Sequence, residues 1–126
     1  MHTLRLSLAV AALLCACGGG DDSPPPATID GTWEAVSQPA GSSLSVALTT
    51  QSGNAVVGAG VHTTAATGTL VLAVAGTYQA PLVALSFNYS DGNTAVYAAT
   101  ASDATHMSGR LTYKDGTSQD LAMVKQ

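Results

Sequence analysis

The side chains that could do chemistry are few. Among 126 residues there are three histidines and eight acids, and Glu34 is the only glutamate. His62 and His106 lie in separate segments, with Asp103 three positions before the second. A metal site needs three or four convergent ligands and further groups to orient them. Two histidines in separate segments, beside turns, are expected instead to be exposed polar residues. Serine and threonine are plentiful, but no Gly-X-Ser-X-Gly elbow raises one of them as a nucleophile. Glu34 alternates with Trp33 and should point to solvent, and no Asp stands at a spacing that would make a glycosidase dyad. Gly58-Ala59-Gly60 falls inside a strand-like stretch, not between a strand and a helix, so it is no phosphate loop. No catalytic residue, metal ligand or cofactor site is expected, and the chain reads as a non-enzyme. Tyr78, Tyr89, Tyr97 and Tyr113 remain, suited to capping a core or rimming a pocket.

Cysteine chemistry is confined to one place. Cys15 and Cys17 are the only two, separated by one residue, so a disulfide framework is not expected. They follow a short basic start (His2, Arg5) and an apolar run from Leu6 to Leu14, the order of a secretory signal. That run falls short of the roughly 20 residues a spanning helix needs. Leu14-Cys15-Ala16-Cys17 resembles the bacterial lipobox, in which a small residue directly precedes a cysteine that receives a diacylglyceryl group. Cys17 fits; Cys15 would put Leu14 where a small residue is required. The resemblance implies a signal peptide over 1–16, expected to be helical, and lipidation of Cys17. It also implies three acyl chains, palmitate among them, and, with Gly18 rather than Asp next, delivery to the outer membrane. Two chains already anchor stably.

Behind Cys17, Gly18 to Thr28 reads GGGDDSPPPAT. Glycines give freedom and three prolines favour extended polyproline geometry, so residues 17–29 are read as a lipidated cysteine and flexible tether. Eleven stretched residues reach on the order of 35 Å. The full chain carries −4; without Arg5 the remainder sets Arg110, Lys114 and Lys125 against eight acids, a balance of −5. That excludes the clustered basic footprint of a nucleic-acid binder. The membrane partner is expected through the lipid, not through charge.

The elements that would position any site are strands. Charged residues make up 10% of the chain and aromatics 5%, too few Glu and Lys to solvate helix faces. Eight segments alternate: Gly31 to Val36, Ser43 to Thr50, Ala55 to His62, Thr69 to Ala75, Leu82 to Tyr89, Thr94 to Ala101, His106 to Tyr113 and Gln119 to Lys125. Leu44, Val46 and Leu48 share one face, as do Val83, Leu85, Phe87 and Tyr89. Turn chemistry separates them, including Gly76 to Pro81, Asp91-Gly92-Asn93 and Asp115-Gly116. Such short connections force antiparallel neighbours. Closing the first strand on the last removes both edges, so residues 30–126 are expected to form an eight-stranded up-and-down antiparallel β-barrel, with a β-sandwich as the alternative.

Gly31-Thr32-Trp33 at the start of the first strand resembles the Gly-X-Trp signature of lipocalins and related calycin barrels. The resemblance implies that Trp33 plugs one end of the barrel and that a late basic residue, Arg110, packs across it by cation–π contact. The lipobox, tether, Gly-Thr-Trp strand and later Met107-Ser108-Gly109 are together similar to small bacterial lipoproteins. The expectation is therefore a lipid-anchored protein of the cell envelope, a structural or interaction module with an envelope partner. The alternative is a carrier of a small hydrophobic ligand inside the barrel, to be judged by whether the interior is hollow.

Overall fold

The alternation of apolar and small polar residues becomes a closed wall. The structure is a computed structural model that describes residues 24–126; the expected signal helix, Cys17 and the first part of the expected tether lie outside the described residues. The strands are β1 (Gly31–Val36), β2 (Ser43–Thr50), β3 (Ala55–Thr64), β4 (Gly68–Gln79), β5 (Leu82–Tyr89), β6 (Thr94–Asp103), β7 (His106–Tyr113) and β8 (Ser118–Lys125), with a 3-10 turn at Ser52–Asn54. Each pairs antiparallel with the next, and β1 closes on β8 through Trp33 opposite Lys125 and Ala35 opposite Met123. The fold is an all-β, eight-stranded up-and-down barrel; the sandwich alternative falls because β1 and β8 pair with each other.

Period-two alternation sends every second side chain into the barrel. Leu44, Val46 and Leu48 from β2, Val83, Leu85 and Phe87 from β5, Met107 and Leu111 from β7, and Leu121 and Met123 from β8 are all buried. Each large apolar side chain so buried contributes about 1.5–3 kcal/mol. Phe87 packs at 6.2 Å from Tyr97 and edge-on at 6.5 Å from Tyr89, which carries an aromatic stack along the interior. The Tyr97 hydroxyl, deep in the core, donates to the Leu121 carbonyl at 2.9 Å.

Strand β4 runs further than the sequence pattern predicts. Residues 76–79, read as part of a turn, continue the strand and pair with 82–85, so the turn shrinks to Ala80-Pro81. Gly76 makes this possible: a Cβ there would strike the Ala84 carbonyl and the Leu85 backbone. Glycine here serves close approach of two strands in a tightly coiled barrel and not a turn. β3 and β6 likewise extend two residues beyond their predicted ends, to Thr64 and Asp103.

Strand directions sort the connections into two ends. Residues 37–42, 65–67, 90–93 and 114–117 gather at one end, the open mouth, while the N-terminal segment and residues 51–54, 80–81 and 104–105 gather at the other. The second end is plugged. Trp33 and Ile29 are both fully buried there, and Trp33 Nε1 donates to the Ile29 carbonyl at 2.9 Å. The Tyr78 hydroxyl donates to the Pro26 carbonyl at 2.6 Å, and the Thr50 N–H donates to the Asp30 carboxylate.

Two expectations need correction here. Residues 26–29 are not free tether but a strap packed across the barrel end, because Ile29 finds an apolar seat beside Trp33; the folded unit begins before residue 30. Arg110 does not cross Trp33. It alternates with the inward Gly109 and Leu111, so it projects from the outer wall, where its guanidinium meets Asp120 at 3.2 Å and the Ser118 hydroxyl at 2.7 Å. Trp33 lies on the other side of that wall. Its polar partner is the strap carbonyl.

Candidate functional site at the barrel mouth

Strand β3 turns Val56, Gly58, Gly60 and His62 inward and Val57 and Val61 outward. The two glycines sit so close to β2 that a Cβ would meet the Ala47 and Ser45 carbonyls. The last buried inward position, next to the mouth, is His62, only 4% exposed. Its Nδ1 lies 2.8 Å from the hydroxyl of Tyr89, the last inward residue of β5, with the rings 5.7 Å apart. Tyr113 ends β7 on the same side, its hydroxyl accepting from Gln119 Nε2 at 3.0 Å. Three strand ends thus bring an imidazole and two phenols together, with Leu70 of β4 beside them.

Above these side chains opens a cavity of about 340 Å³, lined by His62, Leu70, Tyr89 and Tyr113 below and by Thr64, Thr67, Asp91, Asn93, Thr94, Lys114 and Asp115 around the rim. The rim loops are fixed by their own hydrogen bonds. Asp91 accepts from the Asn93 N–H at 3.0 Å and from its side-chain amide at 2.9 Å. Asp115 accepts from the Thr117 N–H at 2.9 Å and its hydroxyl at 2.7 Å. Gly92 and Gly116 follow these aspartates with φ of 93° and 94°, a left-handed conformation in which glycine avoids the Cβ clash. Thr64 and Thr67 close the third loop, hydroxyl to hydroxyl at 2.7 Å.

Burial sets the electrostatics of the floor. Loss of water holds the His62 imidazole below the usual histidine range, so it is neutral near pH 7. Burial likewise pushes the Tyr89 hydroxyl well above the ordinary phenol range, helped by the nearby Tyr113 and by Asp91. Tyr113 is raised for the same first reason. All three groups are therefore uncharged hydrogen-bonding partners rather than ions. His62 pairs with a phenol and not with a serine, so the arrangement holds and orients polar atoms.

The exposed-histidine expectation holds for one residue and fails for the other. His106 is exposed at the plugged end, its Nδ1 2.9 Å from Asp103. His62 is buried at the opposite end. Its parity with Val56 along β3 was the available signal, since the outward positions of that strand are also apolar and hide which face is the core. Glu34 is exposed on β1. Of the four tyrosines, Tyr89 and Tyr113 line the mouth, Tyr78 holds the strap and Tyr97 is core. A wider trough of about 670 Å³ runs along the outer wall between Val36, Ser108, Arg110 and Asp120, but its charged groups are exposed and already paired. The mouth is the better candidate because it presents a buried polar group.

No protein-family model matches this chain, and no curated protein sequence matches it. The class that fold and site define is a closed eight-stranded barrel, consistent with a lipocalin-like barrel, strapped shut at one end and carrying a small polar-floored cavity at the other.

Proposed function

We propose that this protein is a membrane-anchored lipoprotein of the cell envelope, held through lipid on Cys17, whose barrel is a non-catalytic interaction module that works at its open mouth. One observation carries the reading: the chain enters the barrel at the plugged end, through the Pro26–Ile29 strap, and the cavity opens at the opposite end. A tether attached at the plugged end keeps the mouth away from the surface it is anchored to. The nine residues from Cys17 to Pro25 can stretch to about 30 Å, enough to clear lipid headgroups. Asp91 and Asp115 on the rim would be repelled by an anionic bilayer.

The alternative, a carrier with a hydrophobic ligand deep inside the barrel, is less favoured. The interior between strap and mouth is occupied by Trp33, Phe87, Tyr97, Leu111, Leu121 and Met123, all at most 2% exposed, and eight strands enclose a space that side chains are just able to fill. The test of the anchor is mass spectrometry of protein extracted from membranes of the producing cells. The reading requires a mature N-terminus at Cys17 carrying diacylglyceryl and amide-linked acyl groups, and Cys17→Ser should remain unprocessed and unlipidated. An unmodified Cys17, or a mature terminus elsewhere, overturns it. Fractionation then separates outer from inner membrane.

A further inference from the structure

We infer that the mouth cavity binds a small uncharged ring compound bearing a hydroxyl group, a phenol or aromatic alcohol, with that hydroxyl seated on His62. This rests on the mouth being the working face and names the ligand class that the face accepts. A volume of about 340 Å³, at roughly 30 Å³ for each water-sized share, admits about a dozen non-hydrogen atoms. That is the lower end of the range for ligand sites. Leu70 and the rings of Tyr89 and Tyr113 provide an apolar, aromatic wall for a flat body, where ring pairs gain beyond their buried area.

The hydroxyl follows from the unmet nitrogen. His62 is 4% exposed and spends Nδ1 on Tyr89; among the described residues no protein group bonds its Nε2. Nε2 is not sealed off, since Thr50 Oγ1 is the fully buried side-chain polar atom without a partner among the described residues. It is open to water on the floor of the cavity, and a ligand that displaces that water must reproduce its hydrogen bond. If the Tyr89 hydroxyl donates to Nδ1, Nε2 carries a proton and needs an acceptor. If Nδ1 donates to the Tyr89 oxygen, Nε2 is bare and needs a donor. A hydroxyl serves both cases, because it donates and accepts.

Charge and rim chemistry narrow the class. The charged groups facing the site are Asp91, Asp115 and Lys114, a net negative rim over a neutral floor, which disfavours a carboxylate, while the floor itself holds no acid to pair with a cation seated on His62. A polyol would need a partner for each hydroxyl. The rim groups are largely committed to each other, Asp91 to Asn93, Asp115 to Thr117 and Thr64 to Thr67. One deep polar contact surrounded by aromatic wall fits a single hydroxyl on a ring.

The test uses the full chain, with histidine and tyrosine ring signals followed by NMR and free ligand fixed by equilibrium dialysis. The probes are 2-naphthol, naphthalene-2-carboxylate and methyl glucoside. Expected is saturable movement of the His62, Tyr89 and Tyr113 signals with 2-naphthol, at least tenfold tighter than with either other probe, and weakened about tenfold by His62→Phe. A second measurement needs no variant: bound naphthol buries the imidazole further and moves the His62 titration to lower pH. Absence of saturation, equal or tighter binding of the carboxylate or the glucoside, undiminished binding by H62F, or an unmoved titration each overturns the proposal. Failure of naphthol with an acylated Cys17 refutes the ligand class alone, whereas naphthol bound to a chain with unmodified Cys17 refutes the anchor alone.

Discussion

Replacing Ile29 with alanine should destabilise the whole barrel, although Ile29 lies outside every strand. The side chain is fully buried and its carbonyl accepts from Trp33 Nε1. The substitution deletes three carbons, about 2.4 kcal/mol of transfer free energy at roughly 0.8 per methylene. It also leaves a void beside Trp33, which the rigid end of a closed barrel collapses only in part, so the total should reach about 3 kcal/mol, within the range for Ile→Ala in cores. With a urea slope of about 1.5 kcal/mol/M for a domain of this size, the midpoint should fall by about 2 M. Trp33 is the only tryptophan, so its fluorescence follows the plug directly and far-UV circular dichroism follows the strands. The two transitions should coincide and move together. A shift below about 0.5 M, or a fluorescence change that leaves the strand transition in place, would show that the strap is appended to the barrel and not part of its fold.

Tyr78→Phe removes the hydroxyl that holds Pro26 and should lower stability by about 1 kcal/mol in the same assay. Stability should also fall with acidity in two windows. The buried His62 is held below the usual histidine range, so its contribution is complete above about pH 6.5 and is lost as pH falls toward the folded value, with a slope of at most about 1.4 kcal/mol per pH unit. His62→Phe should flatten that window in urea midpoints measured from pH 7.5 to 5. The second window lies below about pH 3.8, where Asp103, held low first by the Thr105 N–H and then by His106, and Asp115, held low by Thr117, become protonated; H62F should leave it intact. Arg110→Ala removes an exposed ion pair with Asp120 and should cost less than about 0.5 kcal/mol without moving Trp33 emission; an emission shift would restore the cation–π pairing. Gly109→Ala drives a Cβ into the Ala98 carbonyl and the Ala99 backbone and should cost more than about 2 kcal/mol by thermal melting.

Much of this architecture was legible in one dimension. Strict alternation in β2 and β5 declared their inward faces, and Asp91-Gly92 and Asp115-Gly116 declared the turns, because period-two patterning and left-handed glycine are local properties of the chain. Closure was legible too, since eight short antiparallel strands with two open edges have an obvious way to remove them. The ends of β4 were not, because glycine in a sequence looks alike whether it bends a turn or admits a neighbouring strand.

The site was the least legible part. That His62 is buried and His106 exposed depends on which parity of β3 and β7 faces inward, and β3 is apolar on both faces. That Trp33 bonds the Ile29 carbonyl while Arg110 stands outside the wall depends on register around the whole barrel. Alternation along a strand tells which residues share a face; only closure of the sheet decides which face loses its water. By itself the sequence determined the strand faces and most of the turns, and it offers Cys17 only as an expected anchoring position. The tertiary structure decided which end is strapped shut and which polar groups share the mouth, because those contacts join residues far apart in the chain through pairings that no local pattern encodes.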